Sequence, residues 1–212
     1  MSAKDKTREL DQSLDESMLP ADPMELFARW MADAVAVGLP EPTAMALATV
    51  SADGRPRARM VLLKAYDAGG FTFYTNRTSR KATDLAAVPR ASLLFPWFAI
   101  QRQVIIEGTV APLSAEQSEP YFHSRPRGSQ LGAWASRQSA VIDSRGELDD
   151  RYAELSERWP EGTEVPMPDF WGGYQVEPQI IEFWHGRTDR MHDRFRYRRD
   201  AEGRWAPERL AP

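Results

Sequence analysis

Basic side chains crowd one short segment near the C-terminus of the chain. Residues 183–200 read FWHGRTDRMHDRFRYRRD and hold six arginines and two of the three histidines, although the formal net charge is −4. In a strand, side chains two positions apart share a face, so five basic groups would form one row: Arg190, His192, Arg194, Arg196 and Arg198. Such a row is either a solvated face or a surface that binds an anion or an electron-rich ring, and the segment alone leaves both open.

A second basic pair, Arg80 and Lys81, lies in the segment FYTNRTSRK, where Ser79 is a candidate cap for a short helix. The pair would then occupy the first helical turn, whose free backbone N–H groups already favour an anion. Two cations beside a helix N-terminus oppose the helix dipole. An anionic ligand would remove this conflict, so the segment predicts an anion site.

Arg59 and Lys64 stand at the two ends of the segment RMVLLK. Because they are five positions apart, a regular strand would send their side chains to opposite faces of a sheet. Both are cations of the kind that binds phosphate. We expect them to contact different groups, unless a bulge changes the alternation of the strand.

A third candidate group lies in the segment YFHSRPRGSQ. Tyr121, Arg125 and Ser129 follow one another at intervals of four, which places them on one face if a single helix spans them. A phenol, a guanidinium and a hydroxyl on one face make a reasonable phosphate grip, although Pro126 and Gly128 interrupt the helical pattern. The separate cationic groups together predict two phosphorylated ligands, or one ligand with two anionic ends.

The composition argues against several other classes of protein. The chain has 212 residues, a sequence pI near 5.5 and no cysteine, so general nucleic-acid binding, disulfides, thiolate catalysis and cysteine-type metal sites are not expected. The histidines lack the spacing of metal ligands, and no dinucleotide-binding or P-loop glycine motif is present. No apolar run approaches a membrane span and no signal peptide is recognisable, so we expect a cytoplasmic protein.

The hydrophobic pattern predicts one mainly β domain with helices around it. Residues 1–20 are polar and are expected to form a mobile arm before a single domain over residues 21–212. Helices are predicted after the caps Asp22, Ser79, Ser114 and Ser144. Strands are predicted over MALATV, RARMVLLKAY and FTFYTN as a three-stranded meander, over ASLLFPWFAI and RQVIIEGTVAPL, and over three segments from YQVEPQIIEFWHG onward. Because strands and helices do not alternate, an antiparallel barrel fits better than a parallel sheet.

An ordered set of segments resembles the pyridoxine/pyridoxamine 5′-phosphate oxidase family: RMVLLK, FYTNRTSRKA, ASLLFPW, RQV, YFHSRPRGSQLGAWAS, FWGGY, IEFWHG and RMHDR. The resemblance runs from about Leu19 to the C-terminal RLAP. It implies an α+β, mainly β fold, namely an FMN-binding split β-barrel that is antiparallel and Greek-key-like and has peripheral helices. It also implies a homodimer with FMN at the subunit interface.

The reaction implied by the resemblance belongs to vitamin B6 biosynthesis and salvage. Pyridoxamine 5′-phosphate or pyridoxine 5′-phosphate would be oxidised to pyridoxal 5′-phosphate as a hydride leaves C4′ for the flavin. Molecular oxygen would then be reduced to hydrogen peroxide. FMN is the only cofactor implied, and no metal, nucleic acid or membrane partner is expected.

The resemblance also implies roles for individual residues. Arg190 and His192 match the pair that contacts the pyridine ring and the reacting substituent, so they are the expected catalytic residues. The expected FMN contacts are Arg59, Met60, Val61, Leu62, Leu63, Lys64, Tyr74, Thr75, Arg80, Lys81, Gln103, Gln138, Ser139, Trp184 and Arg194. The expected substrate contacts are Lys64, Tyr121, Arg125, Ser129, Arg190, Met191 and His192.

Two departures from the family pattern keep other functions open. Family members often carry an Arg-x-x-Tyr lid near the N-terminus, whereas here no tyrosine follows Arg8, and Met191 stands where leucine is commoner. A related flavin oxidase of another ring substrate, of the phenazine type, shares the barrel but does not need the phosphate grip. A non-catalytic module that binds FMN or pyridoxal phosphate is the second alternative, and a nucleic-acid-binding protein is a distant third.

Overall fold

The computed structural model describes residues 13–212 and folds them around one nine-stranded antiparallel sheet. The strands are β1 (Ala44–Val50), β2 (Pro56–Leu62), β3 (Ala65–Asp67), β4 (Gly70–Asn76), β5 (Arg90–Trp97), β6 (Arg102–Pro112), β7 (Trp171–His185), β8 (Asp193–Arg199) and β9 (Trp205–Arg209). The α-helices of the described chain are α1 (Pro23–Ala36), α2 (Arg80–Ala87), α3 (Ala115–Ser124), α4 (Arg127–Ala135) and α5 (Arg145–Arg158). Among these residues, no helix is both long and apolar enough to cross a membrane.

The sheet curls into a half-barrel, and its strand β7 has different neighbours at its two ends. The strands run in the order β2-β1-β5-β6-β7-β4-β3, while β8 and β9 extend from β7. The first part of β7 pairs with β4 and its last part pairs with β8. Between the two parts the register with β6 shifts at Glu107 and Gly108, where a Cβ on Gly108 would lie 2.0 Å from the Glu177 carbonyl oxygen. A bulge of this kind bends a strand, and only glycine allows so close an approach.

The predicted meander is wrong in one respect, and the difference shapes the site. The segment RARMVLLKAY is not one strand, because it breaks at Leu63 and Lys64 into β2 and β3. Strand β2 pairs with β1, whereas β3 pairs with β4 at the other end of the strand order. Leu63 is buried, and its amide donates to the Thr43 carbonyl oxygen while the Lys64 amide donates to that of Thr72. The break therefore carries the chain from one edge of the sheet to the other.

Helix α1 supplies one face of the hydrophobic core. Asp22 caps its first turn by accepting a hydrogen bond from the Met24 amide, as the sequence predicts. Phe27 is fully buried and packs edge-on against Phe71 and Phe95, at centroid distances of 4.9 and 5.1 Å. Aromatic pairs in this geometry stabilise a core beyond the area they bury. Helix α1 thereby holds β4 and β5 against one another.

The remaining predicted helices form, and the interruption expected at Pro126 is present. Helices α2, α3 and α5 begin after the predicted caps, but only Ser114 and Ser144 accept a capping hydrogen bond, and the Ser79 side chain does not. No single helix joins Tyr121 to Ser129, because the helical conformation stops at Arg125 and resumes after Pro126. A proline disfavours the helical conformation in the residue before it, and Arg125 accordingly has an extended ψ of 149°.

The N-terminal segment is packed against the domain wherever the structure describes it. Of the predicted mobile arm, residues 1–20, the part from residue 13 onward lies beside the C-terminal strands. Leu14 is buried in the main core, and Glu16 forms an ion pair with Arg209 of β9 at 2.7 Å. The packed domain thus starts before the predicted boundary. The expected lid residue Arg8 lies outside the described residues.

We expect Phe27→Ala to lower the free energy of unfolding by about 3–5 kcal/mol, because it removes buried aromatic area and leaves a cavity. Val35→Ala on the same helix is the matched control. The Val35 side chain is 58% exposed, so this change should stay within about 0.5 kcal/mol. Urea unfolding at a fixed protein concentration measures both values. Equal losses for the two variants would contradict the placement of Phe27 in the core.

Candidate active site

One large cavity lies where the end of β2, strand β4 and helices α2 to α4 approach each other. Its volume is about 630 Å³, within the usual range of small-molecule sites. Many of the residues predicted from the sequence line it: Arg59, Met60, Val61, Leu62, Lys64, Tyr74, Thr75, Lys81, Tyr121, Arg125, Ser129 and Gln138. The side chain of Leu63, an expected cofactor contact, is instead buried in the hydrophobic core.

The cavity lining carries positive charge that no carboxylate of the same lining offsets. Within the described chain, its charged members are Arg59, Lys64, Lys81 and Arg125. Like charges that face one cavity repel each other, and low-dielectric walls strengthen that repulsion. The cavity is therefore suited to an anionic ligand.

Arg59 and Lys64 line the same cavity, although a regular strand would have sent them to opposite faces of the sheet. The reason is the break between β2 and β3, which ends the alternation of the strand before it reaches Lys64. The expectation that Arg59 and Lys64 contact different groups of their ligands stays a prediction.

Arg59 and Lys81 form the first cationic group of the cavity. Arg59 donates to the Leu47 carbonyl oxygen at 3.0 Å and to the Thr49 hydroxyl at 2.8 Å. The Lys81 ammonium donates to the side-chain oxygen of Gln138 at 2.6 Å. Burial, and secondarily the charge of Arg59, lowers the pKa of Lys81 to about 8. An anion bound here would favour the charged form of this amine.

A smaller cavity of about 520 Å³ shares Arg59 and Lys81 with the larger one. Arg57, Arg80 and Ser139 also line it, and the Arg80 amide donates to the Ser139 hydroxyl at 3.3 Å. The start of α2 is thus surrounded by cations, as the anion-site prediction requires.

Arg57 was missed by the sequence reasoning. Its spacing of two from Arg59 on a strand was a signal that could have identified it.

The second cationic group combines Lys64, Tyr121, Arg125 and Ser129. Arg125 donates to the Ser129 carbonyl oxygen at 2.8 Å, and its guanidinium lies 4.9 Å from the centroid of a Trp171 ring. The Nη1 atom of Arg125 is buried and has no hydrogen-bond partner among the described residues. Burial also lowers the pKa of Arg125. A buried donor without a partner is costly, and an anionic oxygen would satisfy it.

A stack of aromatic rings forms one wall of the large cavity. The Tyr74 ring lies 4.1 Å from the Tyr121 ring and 5.3 Å from the Trp171 ring, nearly parallel to both. Trp171 lines the cavity but had no predicted role, because the proline-rich segment before it indicated a loop. The structure instead starts β7 at Trp171. Its position in FWGGY, one of the segments that resemble the family, was a signal that could have identified Trp171 as a site residue.

A further set of predicted residues lies outside the large cavity, near the C-terminal end of β7: Gln103, Trp184, Arg190, Met191, His192 and Arg194. Gln103 and Trp184 pair across β6 and β7, and the Trp184 ring lies 4.7 Å from the His192 ring. Arg190 ends a 3₁₀ turn with a φ of 61°, and the next side chain, Met191, is 69% exposed. One chain therefore carries two separate groups of predicted site residues.

The predicted row of five basic side chains on one strand is only partly formed. Two of its members, Arg190 and His192, precede β8. Each of the other three pairs with a carboxylate on a neighbouring strand: Arg194 at 2.8 Å, Arg196 at 2.6 Å and Arg198 at 3.6 Å. Much of the positive charge of this segment is therefore neutralised within the chain.

Comparison with known proteins identifies the group to which this fold and site belong. A family model described as pyridoxamine 5′-phosphate oxidase matches residues 31–158, and one described as the pyridoxine 5′-phosphate oxidase C-terminal dimerisation region matches residues 171–212. The chain belongs to the pyridoxine/pyridoxamine 5′-phosphate oxidase family. As a member of this family it is an oxidoreductase, and the resemblance read from its segments is confirmed.

Individual relatives match nearly the whole chain. The pyridoxine/pyridoxamine 5′-phosphate oxidase of Acidothermus cellulolyticus is 56% identical over 202 residues, which cover 94% of this chain and 90% of the relative. That of Bordetella petrii is 52% identical over 213 residues and covers 100% of both chains. The family assignment therefore rests on both halves of the fold.

Solved structures confirm the predicted split-barrel fold. PhzG from Burkholderia lata 383, in complex with tetrahydrophenazine-1-carboxylic acid, matches with a TM-score of 0.89 at 34% identity and covers 95% of this chain and 98% of its own. A pyridoxamine 5′-phosphate oxidase-related, FMN-binding protein from Nostoc punctiforme matches with a TM-score of 0.73 at 16% identity, covering 92% and 100%. The second likeness bears on the fold alone.

We expect the Lys81 amine to titrate near pH 8 in the ligand-free protein, against the ordinary lysine value of 10.5. Its charge is then present below about pH 8 and lost above, so anion binding at this amine should weaken as the pH rises through that value. NMR of ¹³C-labelled lysine side chains measures the titration, with Lys81→Arg to assign the signal. Arg59→Gln should raise the Lys81 pKa, because it removes a neighbouring positive charge. Titration near the ordinary value in both proteins would contradict the proposed environment.

Proposed function

We propose that this protein is an FMN-dependent oxidase that converts pyridoxamine 5′-phosphate or pyridoxine 5′-phosphate to pyridoxal 5′-phosphate and reduces O2 to hydrogen peroxide. One observation carries the proposal: two cationic groups line one cavity, and no carboxylate among the described residues shares that lining. Two phosphorylated ligands bound side by side would match this charge pattern. Membership of the family makes the same reaction the natural expectation.

The first cationic group suits the phosphate of FMN. Arg59 and Lys81 are shared by both cavities, and Arg57, Arg80 and Ser139 surround the same place at the start of α2. Cations, a hydroxyl and free amides of a first helical turn are the usual ligands of a phosphate monoester. A volume of about 630 Å³ also leaves room for a flavin ring system and a small substrate. The residues present therefore fit the cofactor.

The second cationic group suits the phosphate of the substrate. Arg125 and Lys64 line the cavity beside Tyr121 and Ser129, and the buried Nη1 atom of Arg125 has no partner among the described residues. The guanidinium is held by its bond to the Ser129 carbonyl oxygen and by the Trp171 ring. It is thus already oriented before a ligand arrives, which lowers the entropic cost of binding.

A second copy of the chain is proposed to complete the site. Trp184, Arg190 and His192 do not line the cavity that carries the phosphate-binding groups, and residues 171–212 match a model described as a dimerisation region. In a two-fold dimer both copies use the same patch, so each contact occurs twice: a group of one copy meets a site of the other, and the reverse. The Arg190 and His192 side chains of one protomer would then face the cavity of its partner.

FMN, when bound, would supply the acceptor for the hydride that leaves C4′, with O2 as the final acceptor of the two electrons. With the amine substrate, water would then hydrolyse the imine to the aldehyde and release ammonia. The protein supplies binding and orientation. Lys64 and Arg125 anchor one end of the substrate through its phosphate, so that the ring is fixed at a set distance from the anchor. Arg190 and His192 position the ring and stabilise charge that develops at the reacting substituent. Neither residue has to act as a strict acid or base in this scheme.

A related flavin oxidase that acts on a phenazine-type ring is the second candidate. The likeness to PhzG at 34% identity and a TM-score of 0.89 favours it. The group of Lys64, Tyr121, Arg125 and Ser129 argues for the first candidate, because two cations and two hydroxyls match the three oxygens of a phosphate better than the two of a ring carboxylate.

A direct assay tests the proposed function. Purified protein is mixed with FMN and either pyridoxine 5′-phosphate, pyridoxamine 5′-phosphate or a dihydrophenazine carboxylate in air-saturated buffer. We expect pyridoxal 5′-phosphate and hydrogen peroxide to form in equal amounts from the B6 vitamers. Faster turnover of the dihydrophenazine would favour the second candidate. FMN binding without peroxide from any substrate would leave a non-catalytic binding module.

We expect Arg190→Ala to lower kcat/KM for pyridoxine 5′-phosphate at least about tenfold, or by about 1.4 kcal/mol in transition-state stabilisation, while FMN stays bound. Steady-state kinetics and the visible spectrum measure the two properties. Arg198→Ala is the matched control, because Arg198 pairs with the Glu208 carboxylate on β9 and has no proposed contact with cofactor or substrate. Wild-type turnover in Arg190→Ala would remove Arg190 from the catalytic assignment.

A further inference from the structure

A buried carboxylate stands behind the first cationic group. Asp84 lies on α2, one helical turn after Arg80, and its side chain is only 2% exposed. No sequence signal assigned it a role. Carboxylates are almost never fully buried unless they are paired, so the partners of Asp84 indicate what it does.

Those partners are residues of the proposed phosphate site and of the neighbouring strand β1. The Thr49 hydroxyl donates to Asp84 Oδ2 at 2.8 Å, and Arg57 donates to Asp84 Oδ1 at 2.5 Å. Arg59 lies 3.8 Å from Oδ2, and its Nη1 donates to the Thr49 oxygen at 2.8 Å. A hydroxyl has one hydrogen to donate, and an arginine only donates. The direction of this chain of bonds is therefore fixed: Arg59 donates to Thr49, and Thr49 donates to Asp84.

We propose that Asp84 and Thr49 are positioning residues that hold the Arg59 guanidinium in the orientation needed to bind the FMN phosphate. The proposal rests on the proposed function, because it assigns that phosphate to the first cationic group. Two oxygens, those of Thr49 and of the Leu47 carbonyl, fix Nη1 of Arg59. The remaining face of the guanidinium is then available to a ligand in either cavity.

Electrostatics alone predicts the opposite role for Asp84. A negative charge beside a cluster of four cations, Arg57, Arg59, Arg80 and Lys81, weakens the attraction of that cluster for an anion. A buried carboxylate at this place favours FMN binding only if its orientation of Arg59 and Arg57 contributes more than the attraction that its charge removes. The two explanations therefore differ in the sign of their effect on FMN affinity when Asp84 is neutralised.

The test compares FMN with riboflavin, which lacks the phosphate. Dissociation constants for both flavins are measured by fluorescence titration on wild type and on Thr49→Val, Thr49→Ser, Asp84→Asn and Glu147→Gln. Thr49→Val breaks the chain of bonds and leaves every charge in place, while Thr49→Ser keeps the hydroxyl. Glu147→Gln removes one negative charge from the exposed first turn of α5, which does not line either cavity.

We expect Thr49→Val to raise the dissociation constant of FMN at least about tenfold, a change of about 1.4 kcal/mol. Asp84→Asn should also weaken FMN, by at least about fivefold, because the orienting ion pairs are lost. Riboflavin affinity should stay within about twofold of wild type in both variants, since the bonds at stake serve the phosphate. Thr49→Ser and Glu147→Gln should match wild type for both flavins.

Three results would overturn the inference while leaving the proposed function intact. Tighter FMN binding by Asp84→Asn would mean that Asp84 only offsets the positive charge of its neighbours and does not orient them. Unchanged dissociation constants of both flavins in both variants would mean that Arg59 needs no positioning. Equal weakening of both flavins, together with a lower melting temperature, would indicate a purely structural role. A wild-type protein that binds FMN no better than riboflavin would instead count against the proposed phosphate site itself.

Discussion

Mutual repulsion among cations is the constraint on which the rest of the site depends. Arg59, Lys64, Lys81 and Arg125 face one cavity whose described lining holds no carboxylate, and burial already lowers the pKa of Lys81 and of Arg125. Such an arrangement needs a scaffold rigid enough to hold the charges, and it is stabilised when an anionic ligand returns the lost solvation. The antiparallel sheet supplies the first condition. The proposed pair of phosphates supplies the second.

The fold brings these cations together by interrupting its own regular elements. Strand β2 breaks at Leu63 and Lys64, and the helix that starts at Ala115 stops before Arg125. The first interruption brings Lys64 into the lining that Arg59 shares, and the second leaves Arg125 in that lining between two helices. Backbone irregularity at these two places therefore concentrates the binding groups, while the amides of Leu63, Lys64 and Arg125 still donate to carbonyl oxygens. Regular elements around the breaks, above all α1 packed on β4 and β5, hold the broken segments in position.

The sequence predicted most of the elements and most of the residues that line the cavity, and the reasons for its limits are physical. Caps such as Asp22 and alternating apolar residues act over a few positions, so helix starts and strands were predictable. The break at Leu63 follows from pairing between β2 and β1 and between β3 and β4, which is long-range and leaves no local trace. The role of Asp84 depends on contacts between β2 and α2, and no spacing rule within one segment reveals such contacts. The separation of Trp184 from the cavity was likewise visible only in three dimensions.

Strand β7 has a consequence for how two copies of the chain would share their chemistry. It begins at Trp171, in the wall of the cavity, and reaches Trp184 thirteen residues later, beside His192. At about 3.3 Å per residue, the strand sets a maximum span of roughly 43 Å between these two tryptophans. In the proposed dimer, one continuous stretch of backbone thus links the pocket of a protomer to the groups it lends to its neighbour. An insertion of one residue in β7 would reverse the facing of every side chain beyond it, so a single change of register would disturb both pockets at once.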